Sequence, residues 1–211
     1  MKITIQNQSF ILHTSGALFW ETKKWLLISD VHLGKVSHFR KHGVAIPQNA
    51  IEENFNKLTK VVEFFRPEKV FFLGDLFHSS KNYEWIFFEE WVNCCVSELV
   101  LIVGNHDIID KKNYTDINIS VLQFFEIDNF LLTHQPKEMK GWFNFAGHIH
   151  PGVILRGLGG QSLKLPCFYQ KDNQMILPAF GEFTGQHIIE SNQEDIIYAI
   201  TKEEIVVVKK N

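Results

Sequence analysis

The sequence predicts an α/β fold in which two packed β-sheets carry helices on the outside. Three observations lead to this prediction. The first half of the chain alternates apolar runs typical of buried strands with helical stripes, as βαβ units do. The second half contains short strands joined by short connections. The 211 residues contain no domain boundary, repeat or low-complexity tract, so we expect a single domain over residues 1–211.

The first half supplies a hairpin, two further strands and a parallel βαβαβ unit. Residues 33–47 form a long, glycine-containing connection that can accommodate a short helix. Apolar stripes predict helices over 48–65, ended by Pro67, and over 83–96. The predicted strands of this half are 3–12 (as a hairpin), 17–20, 25–28, 69–73 and 99–103.

The second half reads as strands alone. Their apolar positions alternate or form short runs between turn residues, which is typical of a second sheet. They are predicted at 121–125, 130–133, 142–146, 153–155, 162–165, 174–177, 195–200 and 205–208.

Composition excludes several classes of protein. The net charge of -3 and the pI near 6.4 give no electrostatic footprint of a nucleic-acid-binding protein. Three cysteines, two of them adjacent, do not form a disulfide framework. The chain contains no signal-peptide core and no apolar run near the roughly 18 residues that cross a bilayer. We therefore expect a cytoplasmic protein with no membrane segment.

Polar clusters end five of the apolar runs, and each cluster contains potential metal ligands. Residues 105–107 alone could form a turn, and Asp75 alone could cap a helix. Five such clusters at strand ends are better explained by one site, because the carboxyl ends of strands gather at one edge of a sheet. The clustered residues are Asp30, His32, Asp75, Asn105, His106, Asp107, His134, His148 and His150.

The donor types indicate a two-metal centre. In Asp30-x-His32 and His148-x-His150, a single residue separates two donors, and within a strand this spacing places both on one face. Carboxylate, imidazole and amide donors suit divalent ions such as Mn, Fe or Zn. Seven donors, with His106 and Asp107 set aside, exceed one tetrahedral site and fit two adjacent ions that share a carboxylate. Such centres catalyse phosphoryl transfer.

In order and spacing, these blocks resemble the calcineurin-like metallophosphoesterase superfamily, whose pattern is D-x-H, G-D, G-N-H-D/E, a lone H and G-H-x-H. The resemblance implies an αββα sandwich of two mixed β-sheets flanked by helices. It also implies a metal-bridging hydroxide as nucleophile, His106 as the acid that protonates the leaving group, and Asp107 as the residue that orients and stabilises His106. The implied ligands are Asp30, His32, Asp75 and His150 for one ion and Asp75, Asn105, His134 and His148 for the other.

A narrower resemblance covers residues 30–35, 39–40, 43–47, 74–79, 150–151 and 177–185. These segments are similar to the ligase-associated DNA-damage-response endonucleases (PdeM-type). That branch implies a phosphodiester substrate such as single-stranded DNA or nucleotides, and association with a DNA ligase or helicase. Arg40 and His78 are the expected substrate-binding residues, since guanidinium binds phosphate bidentately. Lys35 and His38 fit a phosphate contact or a solvated loop equally well.

We therefore expect a phosphodiesterase or nuclease with two divalent ions, manganese before iron or zinc. A small-molecule phosphatase or cyclic nucleotide phosphodiesterase is the alternative within enzymes. A third hypothesis is a non-catalytic binding scaffold of the same fold.

Overall fold

The structure, a computed structural model, describes residues 1–41, 50–78, 80–157, 159–182 and 184–208, without the side chains of residues 38, 39 and 41. Residues 42–49 include the last part of the predicted connection 33–47 and the start of the predicted helix 48–65. They lie outside the described residues, as do Ser79 and Phe183 of the narrower motifs.

A first mixed sheet forms in the order β1-β2-β3-β4-β5-β6-β7. Strands β1 to β4 pair antiparallel with their neighbours in this order. Strands β4 to β7 run parallel because helical segments connect them. Its strands are β1 (Lys2–Ile5), β2 (Gln8–Leu12), β3 (Leu18–Trp20), β4 (Trp25–Ile28), β5 (Lys69–Leu73), β6 (Glu98–Ile102) and β7 (Ile119–Leu122). The helices are α1 (Lys35–Lys41), α2 (Ala50–Phe65), α3 (Glu84–Cys94) and α4 (Lys111–Thr115).

A second mixed sheet contains the remaining strands. Its strands pair in the order β14-β11-β12-β13-β10-β9-β8, and β15 pairs with both β12 and β16. Its strands are β8 (Phe125–Ile127), β9 (Phe130–Leu132), β10 (Phe143–Ala146), β11 (Pro151–Arg156), β12 (Ser162–Lys171), β13 (Gln174–Ile176), β14 (His187–Ile188), β15 (Ile196–Ile200) and β16 (Ile205–Val208).

The predicted strand 121–125 is wrong as one element. β7 belongs to the first sheet and β8 to the second, so the chain crosses between sheets at Gln123 and Phe124. The apolar run is continuous there because both strands are partly buried, and the run does not reveal the change of sheet. Helix α4, strand β14 and the second half of β12 were not predicted either.

Two apolar layers hold the sheets and helices together. Between the sheets, Phe10 of β2 packs against Phe130 and Phe145, with ring centroids 5.5 and 5.0 Å apart. Outside the first sheet, α2 and α3 pack on strands through residues such as Leu58 and Phe88. Both faces of β4 to β6 are therefore buried, as their uninterrupted apolar runs predict. Among the described residues, no helix is both long and apolar enough to span a bilayer.

Candidate metal centre

The structure brings the five polar segments together where the two sheets face each other. Asp30, Asp75 and Asn105 follow β4, β5 and β6 of the first sheet. His134 follows β9 and His148 follows β10 of the second sheet. The site therefore draws on both sheets rather than on one parallel sheet.

Two groups of three side chains offer ligand atoms that lie within 4.8 Å of one another. The first triad consists of Asp30, His32 and His150, and the second triad consists of Asp75, His134 and His148. Each triad combines first-sheet and second-sheet residues, and the two triads fit the two metal-binding sites of a dimetal phosphoesterase.

Asp75 lies between the triads. Its Oδ1 is 3.4 Å from His134 Nε2, and its Oδ2 is 4.0 Å from His32 Nε2. One carboxylate oxygen thus faces each triad, which is the placement that a bridging ligand requires.

Asn105 extends the second triad. The Nδ1 atom of His134 is 2.9 Å from the Leu73 carbonyl oxygen, and a carbonyl can only accept, so Nδ1 carries the proton and Nε2 carries the lone pair. Asn105 Oδ1 lies 2.9 Å and His148 Nδ1 3.1 Å from that Nε2. Potential ligand atoms this close together fit a shared cation.

Five of the six triad residues have left-handed backbone. Non-glycine residues rarely adopt positive φ, and each instance costs about 1–2 kcal/mol. Such strain persists where surrounding structure enforces it, and it is typical of functional sites. The residues with positive φ in the triads are Asp30 (54°), His32 (52°), Asp75 (51°), His148 (69°) and His150 (52°).

The prediction that strand alternation places both donors of D-x-H and of H-x-H on one face is wrong. Both pairs lie beyond the strands, since β4 ends at Ile28 and β10 at Ala146. Strand alternation therefore does not place the donors on one side; the left-handed turns do. The intervening Val31 is buried in the layer between the first sheet and the helices, where it anchors its loop.

Glycines permit the close approach of the segments. Gly74 has a φ of +82°, and a Cβ at this position would overlap the His134 ring. A Cβ at Gly147 would overlap Ser29 and Asp30. Both glycines therefore leave space that the triads occupy.

Asp30 is held by donors on both sides. Ser29 Oγ and the His148 backbone N–H both donate to Asp30 Oδ2, the latter at 2.9 Å. His150 Nε2 lies 3.1 Å from Asp30 Oδ1. Burial alone would raise the pKa of Asp30, but the hydrogen bond and charge of His150 outweigh it and hold the pKa below its ordinary value. Sequence reasoning missed Ser29, whose only signal is a small polar residue directly before Asp30.

Burial favours the neutral form of two triad imidazoles, those of His32 and His148. It lowers the pKa of His32 to about 3. Burial also lowers the pKa of His148. Neutral imidazole is the form that binds metal ions.

Two further imidazoles stand beside the first triad. The rings of His78 and His106 stack with centroids 4.9 Å apart, and they lie 5.3 and 5.7 Å from the His32 ring. The His106 backbone N–H donates to Asp75 Oδ1 at 2.9 Å. His106 is therefore tied to the centre through its backbone while its ring lies outside both triads.

Asp107 differs from the expectation that it orients the His106 ring. Its Oδ2 accepts the Gly104 N–H at 2.8 Å and its Oδ1 accepts the Phe77 N–H at 3.1 Å. The hydrogen bonds described for this carboxylate thus go to the backbone. Burial raises the pKa of Asp107 to about 6, which the two backbone donors oppose. The side chain braces the loop that carries His106, and does not contact its ring through a described hydrogen bond.

Among the side chains expected near phosphate, Lys35 and His78 both act on the first triad through their charge, which lowers the pKa of His32. Burial lowers the pKa of Lys35, and the charge of Asp75 opposes this shift. Lys35 in turn lowers the pKa of His32. Arg40 is exposed on α1, and no hydrogen bond or ion pair described for it connects it to the triads.

Glu84 fixes the segment that follows His32, and sequence reasoning missed it. The residue is fully buried, and its carboxyl oxygens accept the N–H groups of Gly34 at 2.7 Å and Ser37 at 2.8 Å. An acidic residue in the first turn of a helix is ordinarily exposed, so nothing in the sequence marks this one as buried.

The fold consists of two mixed sheets, and two Asp/His triads lie at the ends of strands from both. This combination defines a metal-dependent phosphoester hydrolase. The sequence profile of the calcineurin-like phosphoesterase family matches residues 23–204, and the chain belongs to this family.

A solved structure supports this assignment over nearly the whole chain. The nuclease MPE from Pseudomonas putida has a TM-score of 0.82 and 29% sequence identity over 98% of this chain and 99% of that chain. AQ665 from Aquifex aeolicus, a protein of unknown function, has a TM-score of 0.45 and 16% identity over 60% and 78% of the two chains. The phosphoesterase Yfce from E. coli has a TM-score of 0.44 and 15% identity over 89% and 99%. Because the TM-scores of the last two structures are below 0.5, neither supports the assignment. A search of curated proteins finds no match.

Proposed function

We propose that the chain is a dimetal phosphodiesterase that cleaves nucleic acid or nucleotides, with single-stranded DNA as its leading substrate. The observation that carries the proposal is the Asp75 carboxylate, which directs one oxygen toward each triad beside the His106 ring. The similarity to the Pseudomonas putida nuclease over nearly the whole chain supports the choice of nucleic acid.

In this proposal the first triad and Asp75 hold one ion, and the second triad and Asn105 hold the other. Divalent ions bound there neutralise phosphate oxygens and lower the pKa of water. Manganese is the expected metal and iron or zinc the alternative, because the donors are carboxylate, imidazole and amide with no thiolate.

His106 supplies the proton to the leaving oxygen. Its ring lies next to the first triad without belonging to it, and its backbone N–H is bound to Asp75. Stacking on His78 limits rotation of the ring. Asp107 contributes by bracing the backbone on both sides of the His106 loop, so it is a positioning residue.

Three cationic or polar side chains are assigned to the substrate phosphate. His78 stands at the first triad, and Lys35 is coupled by charge to His32 and Asp75. Arg40 lies further along α1 and is assigned to a more distant phosphate of a polymer.

The cellular setting follows from the narrower resemblance. We propose a single domain over residues 1–211, a cytoplasmic location, and association with a DNA ligase or helicase. The net charge of -3 favours a partner that helps to bring nucleic acid to the site.

Side-by-side assays test the substrate. Manganese-loaded protein is given bis-p-nitrophenyl phosphate, mononucleotides, a cyclic nucleotide, single-stranded DNA and double-stranded DNA. We expect turnover of the small diester and of single-stranded DNA. Rapid turnover of small esters with no DNA cleavage would identify a small-molecule phosphatase or cyclic nucleotide phosphodiesterase instead.

Metal content tests the catalytic class. Protein purified in manganese and analysed by mass spectrometry of its metals is expected to carry two ions per chain. A chain that retains no metal under these conditions is a binding scaffold, and the proposed chemistry is then wrong.

A further inference from the structure

A cavity of about 500 Å³ opens beside the second triad. Asn105 and His134 line one side of it, and Phe124 and Lys137 line another. The cavity therefore continues directly from the proposed metal ligands, and its volume falls in the range of about 300–1,000 Å³ that is typical of small-molecule sites.

Phe124 is an unusual residue for its position. It lies in the two-residue crossover between the sheets, and the residue is 50% exposed. Lys137 Nζ lies 5.7 Å from its ring centroid, within the range of a cation–π contact. An aromatic ring beside a cation is the combination that binds single-stranded nucleic acid, since the ring stacks on a base and the cation contacts phosphate.

Hydrogen bonds from a buried residue fix the side of the cavity that carries Lys137. Asn144 is buried, and its Oδ1 accepts the Lys137 backbone N–H at 2.8 Å. Its Nδ2 donates to Thr133 Oγ1 at 2.9 Å, and that hydroxyl donates to the Gln135 carbonyl at 2.7 Å. The loop from His134 to Lys137 is thereby fixed from within the second sheet.

We propose that this cavity, the Phe124 cavity, binds an unpaired nucleobase next to the reacting phosphate. Phe124 is the stacking platform, and Lys137 contacts the neighbouring phosphate. A base in a duplex has both faces stacked and cannot offer one to the ring, so the cavity selects single strands. The identity of the reacting phosphate rests on the function proposed above.

The test measures binding and not cleavage. Fluorescein-labelled, phosphorothioate-linked oligothymidylate is titrated into manganese-loaded protein and followed by anisotropy. Phe124→Ala is expected to weaken binding about 5- to 150-fold, the range found for loss of one stacked base, and Phe124→Trp is expected to retain it. Lys137→Gln is expected to lower the slope of log affinity against log salt by about 0.7.

Matched controls separate stacking from general damage. Phe64→Ala removes another exposed phenylalanine, on α2, and Lys171→Gln removes an exposed lysine at the β12–β13 turn; both should bind as wild type. With an oligonucleotide that lacks its bases, Phe124→Ala and wild type should bind equally. Wild-type binding by Phe124→Ala, or equal weakening with the abasic strand, overturns the base subsite.

The diester assay distinguishes this inference from the proposed function. If wild type hydrolyses bis-p-nitrophenyl phosphate but does not bind the oligonucleotide, the Phe124 cavity is not a base subsite and the phosphodiesterase stands. If the binding pattern is as expected but no phosphodiester is hydrolysed, the subsite stands and the proposed function is wrong.

Discussion

Replacing Gly74 with alanine is expected to destabilise the fold and to deplete the second triad of metal. The added methyl group meets two penalties. A left-handed backbone costs a non-glycine residue about 1–2 kcal/mol. The new Cβ also overlaps the His134 ring, which must move. That movement strains a packed site by about 1–3 kcal/mol and breaks the bond from Nδ1 to the Leu73 carbonyl, worth about 0.5–1.5 kcal/mol.

Gly141 offers a matched control for the backbone penalty. Its φ is +83°, nearly the same as at Gly74, but a Cβ there meets no atom within 4 Å. Gly141→Ala should therefore lose only about 1–2 kcal/mol and keep both metal ions. The difference between the two variants, about 1.5–4.5 kcal/mol, measures the displacement of His134.

Urea unfolding followed by tryptophan fluorescence measures the free energy of unfolding, and metal analysis measures the number of ions per chain. We expect Gly74→Ala to fall toward one ion while Gly141→Ala keeps two. Equal destabilisation of the two variants, or two ions retained in Gly74→Ala, would refute the reasoning that Gly74 makes room for His134.

Three further variants probe individual roles. His106→Ala should keep its metal and lose about 10²–10⁴-fold in turnover of single-stranded DNA, as loss of a general acid does; near-wild-type turnover refutes that role. Asp75→Asn should weaken both ions together in a metal titration, and loss of one ion alone contradicts a bridge. Glu84→Ala leaves the buried N–H groups of Gly34 and Ser37 without their acceptor and should cost about 2–6 kcal/mol in urea unfolding, whereas the exposed Glu190→Ala should change stability by less than about 0.5 kcal/mol.

The strands that carry the site are predictable because consecutive residues alone indicate that both of their faces are buried. An uninterrupted apolar run such as that of β5 is stable only when both faces are buried. The polar Asp75 that follows it is buried as well, and it marks where the strand ends and the site begins. Sheet membership is not local in this sense. The change of sheet at Gln123 and Phe124 depends on what each strand pairs with, and the residues themselves do not record it.

The donors of the site are visible in sequence, but their supports are not. Glycines before Asp75 and Asn105 signal a close approach, and the structure contains it. Ser29 and Glu84 depend on partners distant in sequence or on the backbone path, so their residue type alone says little. The same holds for Asp107, whose backbone partners Gly104 and Phe77 appear only once the loops meet.

The composition of the two triads has a mechanical consequence. Each triad takes ligands from both sheets, so an ion bound in either one ties the sheets together across their shared edge. Sliding of one sheet past the other changes ligand distances in both triads at once. Motion between the layers and affinity for metal are therefore linked: ions that bind only the aligned arrangement lock the layers in register, and a displacement of the layers loosens both ions together.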